Sequence, residues 1–344
     1  MVLYRSIQRL LLAGSNLGLP PPPLVAEPPV ELRPLVTAVS REHQRFDRRA
    51  IFYGHRYRSG YWAIYLLSAL AVLSAVLPLA LGWDSPSHHL HPFSGLWAAA
   101  EVVMIGTVSA IYWLGSHQHW QSQWLQARTN AELVWYLPML APLLAHDDST
   151  AEPNWYLRVF DPGQHVRAAD ELGAICARIE PLAQQLLSAA WSDRRFVAAY
   201  AQWTIQVLEQ QRHYHQCVAI TQHALEHRVH RINIVLFLLT AFGAVLHLAV
   251  HSLWLSLVTT FLPALGASLH GALAQSEAHR LHATSRRLVT ELATRIERIR
   301  AALAAPEDEV NPAVRAGVEA AIRVILDEHQ DWNLLVRPHG LPLG

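Results

Sequence analysis

The chain has 344 residues, with 27 basic and 27 acidic side chains, and charged residues make up only 16% of it against 52% hydrophobic. Ordinary soluble domains carry roughly 25% charge, so the two soluble domains that length alone would allow are disfavoured. The absence of net charge points to no nucleic-acid partner.

Every basic residue is arginine, which reads as base bias in a GC-rich bacterial genome. Cys176 and Cys217 have no metal-ligand spacing and read as reduced core thiols facing the cytoplasm.

Taken in chain order, residues 1–38 read as a short helix and a Pro-rich linker. Arg5 and Arg9 precede Leu10-Leu11-Leu12-Ala13-Gly14, an apolar stretch too short for a signal peptide. Prolines from Pro20 to Pro34 favour a stiff, extended connection, a place for another domain or subunit to attach. A basic helix follows, carrying Arg45, Arg48, Arg49, Arg56 and Arg58, and it runs into the first of four apolar windows. These windows lie at about 61–82, 96–114, 232–252 and 254–275, each close to the roughly 20 residues that cross a bilayer. Between the second and third, span two is expected to continue as helix to about Tyr136 before Pro138, Pro142 and the His146–Pro153 loop end it. A helical linker covers 138–190. Ser192-Asp193 then makes an N-cap for a helix entering span three directly, with Arg228 and Arg231 at its membrane end. Ser276 to Ala304 and Pro312 to Asn333 read as two further helices, and no window alternates as a strand would.

Two of these stretches are copies. Shifted by 172 positions, His55-Arg56 meets His227-Arg228, and Leu66-Leu67-Ser68-Ala69 meets Leu238-Leu239-Thr240-Ala241. The later halves align at an offset of 160, placing Gly106 on Gly266 and Ser116 on Ser276. The difference falls in the turn, where the first copy keeps a polar loop, Asp84 to Gly95. Repeats decide architecture, and these predict units at 39–137 and 191–304, followed by a C-terminal helix and tail at 305–344. Arginines flank the entries and exits of the windows but are absent from both turns, so the positive-inside bias puts both termini in the cytoplasm. Trp62, Trp83, Trp97, Trp113 and Trp254 fall at the expected interfaces. The fold class is therefore an all-α integral membrane protein, two transmembrane hairpins continuous with a long-helix cytoplasmic stalk.

Glu101 is the one formal charge inside a span; such residues line pores or handle protons, or they reach the interface or bond a neighbouring helix. His247 and His251 near the outer end of span three, and His270 near the inner end of span four, either gate by pH or pack at interfaces. Pro78 and Pro263 are positioned to kink spans one and four. Gly106 with Ala110, and Gly266 and Ala267 with Gly271, supply the small-residue spacing that lets helices approach closely. Arg128 with Glu132 and Arg287 with Glu291 recur at matching places, either as a shared docking contact or as solvated helix pairs. His223, His227 and His230 share a face without the further ligands a metal site needs. The basic run Arg41–Arg58 suits anionic head groups. No phosphate loop, nucleophile elbow, zinc motif or dinucleotide fingerprint occurs; His213 and Cys217, one turn apart, are a weak pair. No enzymatic activity, cofactor or metal is expected.

Three motifs carry a family resemblance: Tyr53-Gly54-His55-Arg56-Tyr57-Arg58-Ser59, Trp124…Arg128…Ala131-Glu132, and Phe261-Leu262-Pro263-Ala264-Leu265-Gly266-Ala267 followed by Ala274-Gln275-Ser276-Glu277. Over about residues 40–335 the chain resembles the bacterial two-transmembrane effectors associated with SMODS nucleotidyltransferases and SLOG sensors, the SLATT-like domains, here in tandem. That resemblance implies an inner-membrane effector of a nucleotide-signalled conflict system. It would be a homo-oligomer, channel-like, that perturbs the membrane. The chain lacks a Rossmann-like sensor, so a separate cytosolic SLOG-like or nucleotide-binding partner is expected. The alternative is a non-conducting membrane anchor or scaffold whose stalk recruits a cytosolic partner.

Overall fold

The computed structural model describes residues 3–24, 27–83, 85–88, 93–144, 169–187, 190–250 and 252–335. Among these every regular element is helical: α1 (Leu3–Leu11), α2 (Arg33–Ala80), α3 (Ser94–His117), α4 (Trp120–Leu144), α5 (Ala169–Leu187), α6 (Arg194–Ala249), α7 (Leu253–Gln275), α8 (Ala278–Leu303) and α9 (Glu307–Leu335). Short 3₁₀ turns, Val30–Leu32 and Ala190–Ser192, precede α2 and α6.

The two copies share one plan. In each, a long helix (α2 or α6) packs along one half against its hairpin partner (α3 or α7) and along the other against a returning stalk helix (α4 or α8). α2 has 48 residues and α6 has 56, about 72 and 84 Å at 1.5 Å per residue. Either is more than twice the roughly 30 Å of a bilayer core, so one rod serves both apolar segment and stalk. Pro34 starts α2 where a missing N–H is harmless. Asp193 caps α6 as anticipated, its carboxylate accepting from the Arg195 N–H at 2.8 Å.

α2 ends on a Schellman motif. Gly82 is left-handed (φ 68°), its N–H reaches Leu79 O, and the Trp83 N–H reaches Pro78 O at 2.9 Å. Glycine adopts that φ without steric penalty.

The continuous passage from span two into the stalk does not occur. α3 stops at His117, Gln118 closes it, and His119 (φ 50°) turns the chain before α4 starts at Trp120. The second copy breaks likewise at Glu277 (φ 54°), between α7 and α8. Neither position holds a glycine or proline, so composition carries no warning. Nor do Pro138 and Pro142 end α4, which runs through both to Leu144. Carbonyls near its end have side-chain donors instead: the Tyr200 hydroxyl on Met139 O (2.6 Å), Trp191 Nε1 on Pro142 O (2.5 Å) and Arg315 on Leu143 O (2.9 Å). Pro142 O and Leu143 O lie among the last four carbonyls of the helix, so these donors satisfy acceptors that its end leaves open.

Two apolar clusters result. The distal stalk core gathers Leu35, Phe46, Leu137, Tyr200, Leu208, Leu292 and Val314 from the stalk helices. The other sits where stalk meets apolar segments and joins α1, α2, α4, α6 and α7. Beyond it much of the apolar surface faces outward: within the most apolar window, none of α3 and 6% of α6 is buried. Val102, Ile105, Trp113, Phe237, Phe242 and Leu248 stand more than half exposed. Among the described residues, four helices are long and apolar enough to cross a membrane.

Candidate functional site

The junction cluster is built from glycines on one helix and tryptophans on another. A Cβ at Gly54 would lie 2.8 Å from Trp124 Nε1, and one at Gly60 would lie 3.3 Å from the Trp120 ring. Glycine inside a helix costs roughly 0.5–1 kcal/mol; here it admits two indoles between α2 and α4. The turn at His119 aims them. Gln118 Oε1, just before it, accepts from Trp120 Nε1 (2.9 Å) and from Arg56 (3.3 Å).

Around this seat the aromatic rings are continuous. Tyr57 stacks on Trp124 at 5.8 Å and meets Tyr61 edge-on at 5.5 Å. Arg58 lies 4.8 Å from the Trp124 ring and 5.5 Å from Tyr4 of α1, while Arg56 covers Phe52 at 4.3 Å. The second copy enters through α7. Gln275 Nε2 donates to the Tyr57 hydroxyl at 2.6 Å, and a Cβ at Gly271 would come within 2.5 Å of the Tyr65 ring. Arg228 of α6 donates to Ala13 O (3.1 Å) and Ser15 Oγ (2.8 Å), fixing the end of α1. Further along α6, Gln210 donates to Leu24 O at 3.0 Å, so the described part of the Pro-rich segment is docked along the stalk.

The residues singled out from sequence divide between this site and others. Glu101 is half-buried on α3 and makes no ion pair or hydrogen bond among the described residues. His247 is half-buried at the loop end of α6 and His270 exposed near the junction end of α7, so these do not converge; His251 lies outside the described residues. Pro78 is buried and Pro263 exposed, each inside a continuous helix. Gly106 and Ala110 are exposed, with nothing within 4 Å of a Cβ on Gly106. Gly266 faces Asn233 and Leu236 of α6, Ala267 is exposed, and Gly271 makes the tight contact described above.

Arg128 pairs with Glu132 inside α4, and Arg287 with Glu291 inside α8 at 3.2 Å. Both are pairs along one helix. The first is sunk among packed helices: burial works against the Arg128 charge, but Glu132, Tyr214, Tyr136 and Asp47 together hold its pKa above the ordinary value. Arg45 pairs with Glu42 (3.5 Å) and Glu171 (3.2 Å), Arg48 donates to Gln44 O, and Arg49 and Arg231 are exposed. Arg178 bonds Glu42 at 2.9 Å and, foremost among the causes, draws that carboxyl below its usual range.

The histidine face holds a partner that sequence did not reveal. His223 contacts His227 at 4.3 Å and stacks on His282 of α8 at 4.8 Å, while His230 is exposed. Desolvation first, then the His227 and His282 charges, hold His223 below its ordinary value. No group of three or more His, Cys, Asp or Glu suited to a metal occurs among the described residues. His213 Nε2 lies 3.6 Å from Cys217 Sγ, and burial, then Glu180, push the Cys176 thiol up to about 12.

Tyr4, Tyr65 and His282 carried no sequence signal. Gly54 and Trp124 did, since both stand in the motifs quoted for the family resemblance, and glycines in a long helix call for a packing reason. The chain matches no family model, no curated protein and no solved structure.

Proposed function

We propose that this chain is a SLATT-like effector of a bacterial inner membrane, an oligomer whose hairpins perturb or permeabilise the bilayer on a signal from a separate cytosolic sensor. The supporting observation is the contrast between rods and breaks. α2 and α6 run unbroken from stalk to apolar segment, whereas their partners turn at His119 and Glu277. Displacement of the stalk therefore moves two apolar helices as levers against two that reach the stalk only through a turn. The face around Gly106 and Ala110, which no helix among the described residues covers, suits association between copies. Both termini face the cytoplasm in this reading, and the sensor is SLOG-like or otherwise nucleotide-binding.

The test is induction in bacteria with a membrane-potential dye, alone and with a co-expressed sensor. Depolarisation that is lost in Glu101→Ala or Gly106→Leu supports a conducting assembly. An intact potential with the chain at high level in the membrane fraction overturns it in favour of a non-conducting scaffold.

A further inference from the structure

The stalk arginines are largely paired: Arg45, Arg128, Arg178, Arg212, Arg287 and Arg300 each stand within ion-pair distance of a glutamate. At the junction the pattern changes. Arg5, Arg9, Arg56, Arg58 and Arg228 form no ion pair among the described residues. Arg58 is instead fixed between the Tyr4 and Trp124 rings. One turn before it on the same helix face, His55 has a buried Nδ1 with no hydrogen-bond partner. Arg58 thus lies one turn from His55 and against Tyr4, the residue before Arg5, which brings the three groups to one locality; burial, and then the charges of Arg5 and Arg58, hold the His55 imidazole below its ordinary range.

The shape of α1 says what neutralises it. At about 100° per residue, Tyr4, Ile7 and Leu11 fall on one face, and these residues pack into the junction cluster. Leu3 and Leu10 fall together on one flank and are exposed; Arg5 and Arg9 fall on the other flank, also exposed. A helix with one apolar flank, one basic flank and a protein-facing side has the form of a segment lying in a bilayer interface. A dissolved anion has no use for the Leu3–Leu10 flank; a phospholipid fills both.

We propose that Arg5, His55 and Arg58 form a binding site for the phosphate of an anionic phospholipid, with α1 lying in the interface as its outer wall. A guanidinium held between two rings presents its free N–H groups to the phosphate oxygens, and the half-buried His55 imidazole one turn away adds a further polar group to the same face. This rests on membrane insertion of the apolar helices and not on whether the assembly conducts.

The full chain is reconstituted into nanodiscs of mixed phosphatidylglycerol and phosphatidylcholine, extracted into detergent, and its retained lipid counted by native mass spectrometry. Phosphatidylglycerol should be retained in preference to phosphatidylcholine. The double variant Arg5→Gln, Arg58→Gln should lose at least about tenfold of that retention, as removal of two charge-assisted contacts implies. His55→Gln, which leaves the ring contacts to α1 intact, should lose about threefold. A control pair at exposed positions, Arg49→Gln with Arg286→Gln, should retain as much as the parent. Equal retention of both lipids, or undiminished retention in the variants, overturns the site. Inorganic phosphate raising the melting temperature in detergent as far as phosphatidylglycerol does overturns the lipid assignment. A chain that fails to enter the discs overturns the membrane reading as well, an outcome distinct from insertion without lipid preference.

Discussion

Gln275 and Tyr57 are 218 residues apart and belong to different copies of the repeat, yet Gln275 Nε2 lies 2.6 Å from the Tyr57 hydroxyl. One helical turn from Gln275, Gly271 receives the ring of Tyr65, which lies two turns from Tyr57. Together these two contacts tie α7 to α2 where the apolar segments meet the stalk.

Tyr57→Phe keeps the ring stacked on Trp124 and removes only the hydroxyl. It should lower stability by about 1 kcal/mol, the usual net worth of such a bond. Gln275→Leu should do the same, and the double variant should be no worse than either single one. Thermal unfolding in detergent, followed by tryptophan fluorescence, measures this, and additive losses would show that the bond is not shared.

Gly271→Ala should destabilise by about 1–3 kcal/mol, because the new methyl overlaps the Tyr65 ring. Tyr65→Leu in the same chain should recover part of that loss. Gly106→Ala, whose methyl would meet no side chain and no other helix within 4 Å among the described residues, should leave the melting temperature of the isolated chain unchanged.

Removing Glu132 strands a largely enclosed Arg128, and Glu132→Ala should cost about 1–3 kcal/mol. Glu291→Ala breaks a pair whose side chains are 64% and 38% exposed and should cost about 0.5 kcal/mol or less. Comparable losses at both sites would contradict the difference in burial.

The stalk should weaken in acid at the histidine contact between α6 and α8. His223 is surrounded by His227 and Glu226 on its own helix and by His282 and Arg286 on α8, with His279 bonded to Glu226 at 3.2 Å. Its pKa in the fold lies below the ordinary 6.5, so the unfolded chain binds the proton more readily. Stability is therefore full above about pH 6.5 and falls as pH drops toward the folded value. His223→Gln should flatten the dependence of melting temperature on pH between about 7 and 5, and an unchanged slope would assign the titration elsewhere.

Much of this architecture was legible in the residues. The apolar windows, the Asp193 cap and the unbroken entry of α6 into its apolar segment all follow from local chemistry. The start of α8 was marked to within two residues by the expected helix from Ser276. What local chemistry missed were the turn at His119 and the passage of α4 through Pro138 and Pro142. The first has no glycine or proline to mark it, and it lets α4 leave its hairpin to pack on α2. The end of the second is held by donors from Trp191, Tyr200 and Arg315, which lie 49 to 172 residues away.

The sequence by itself determined that the chain is helical, that the helical plan occurs twice, and that four segments are long and apolar enough to cross a bilayer. Hydropathy and helix periodicity are properties of neighbouring residues, and no tertiary contact is required to read them. Only the tertiary structure decided that Gly54, Gly60 and Gly271 pack closely while Gly106 faces outward, and that His282 joins His223. It also placed α1 and the Pro-rich segment along the second copy, through Arg228 and Gln210. Those outcomes depend on which faces of distant helices meet, and a sequence records the faces but not their meeting.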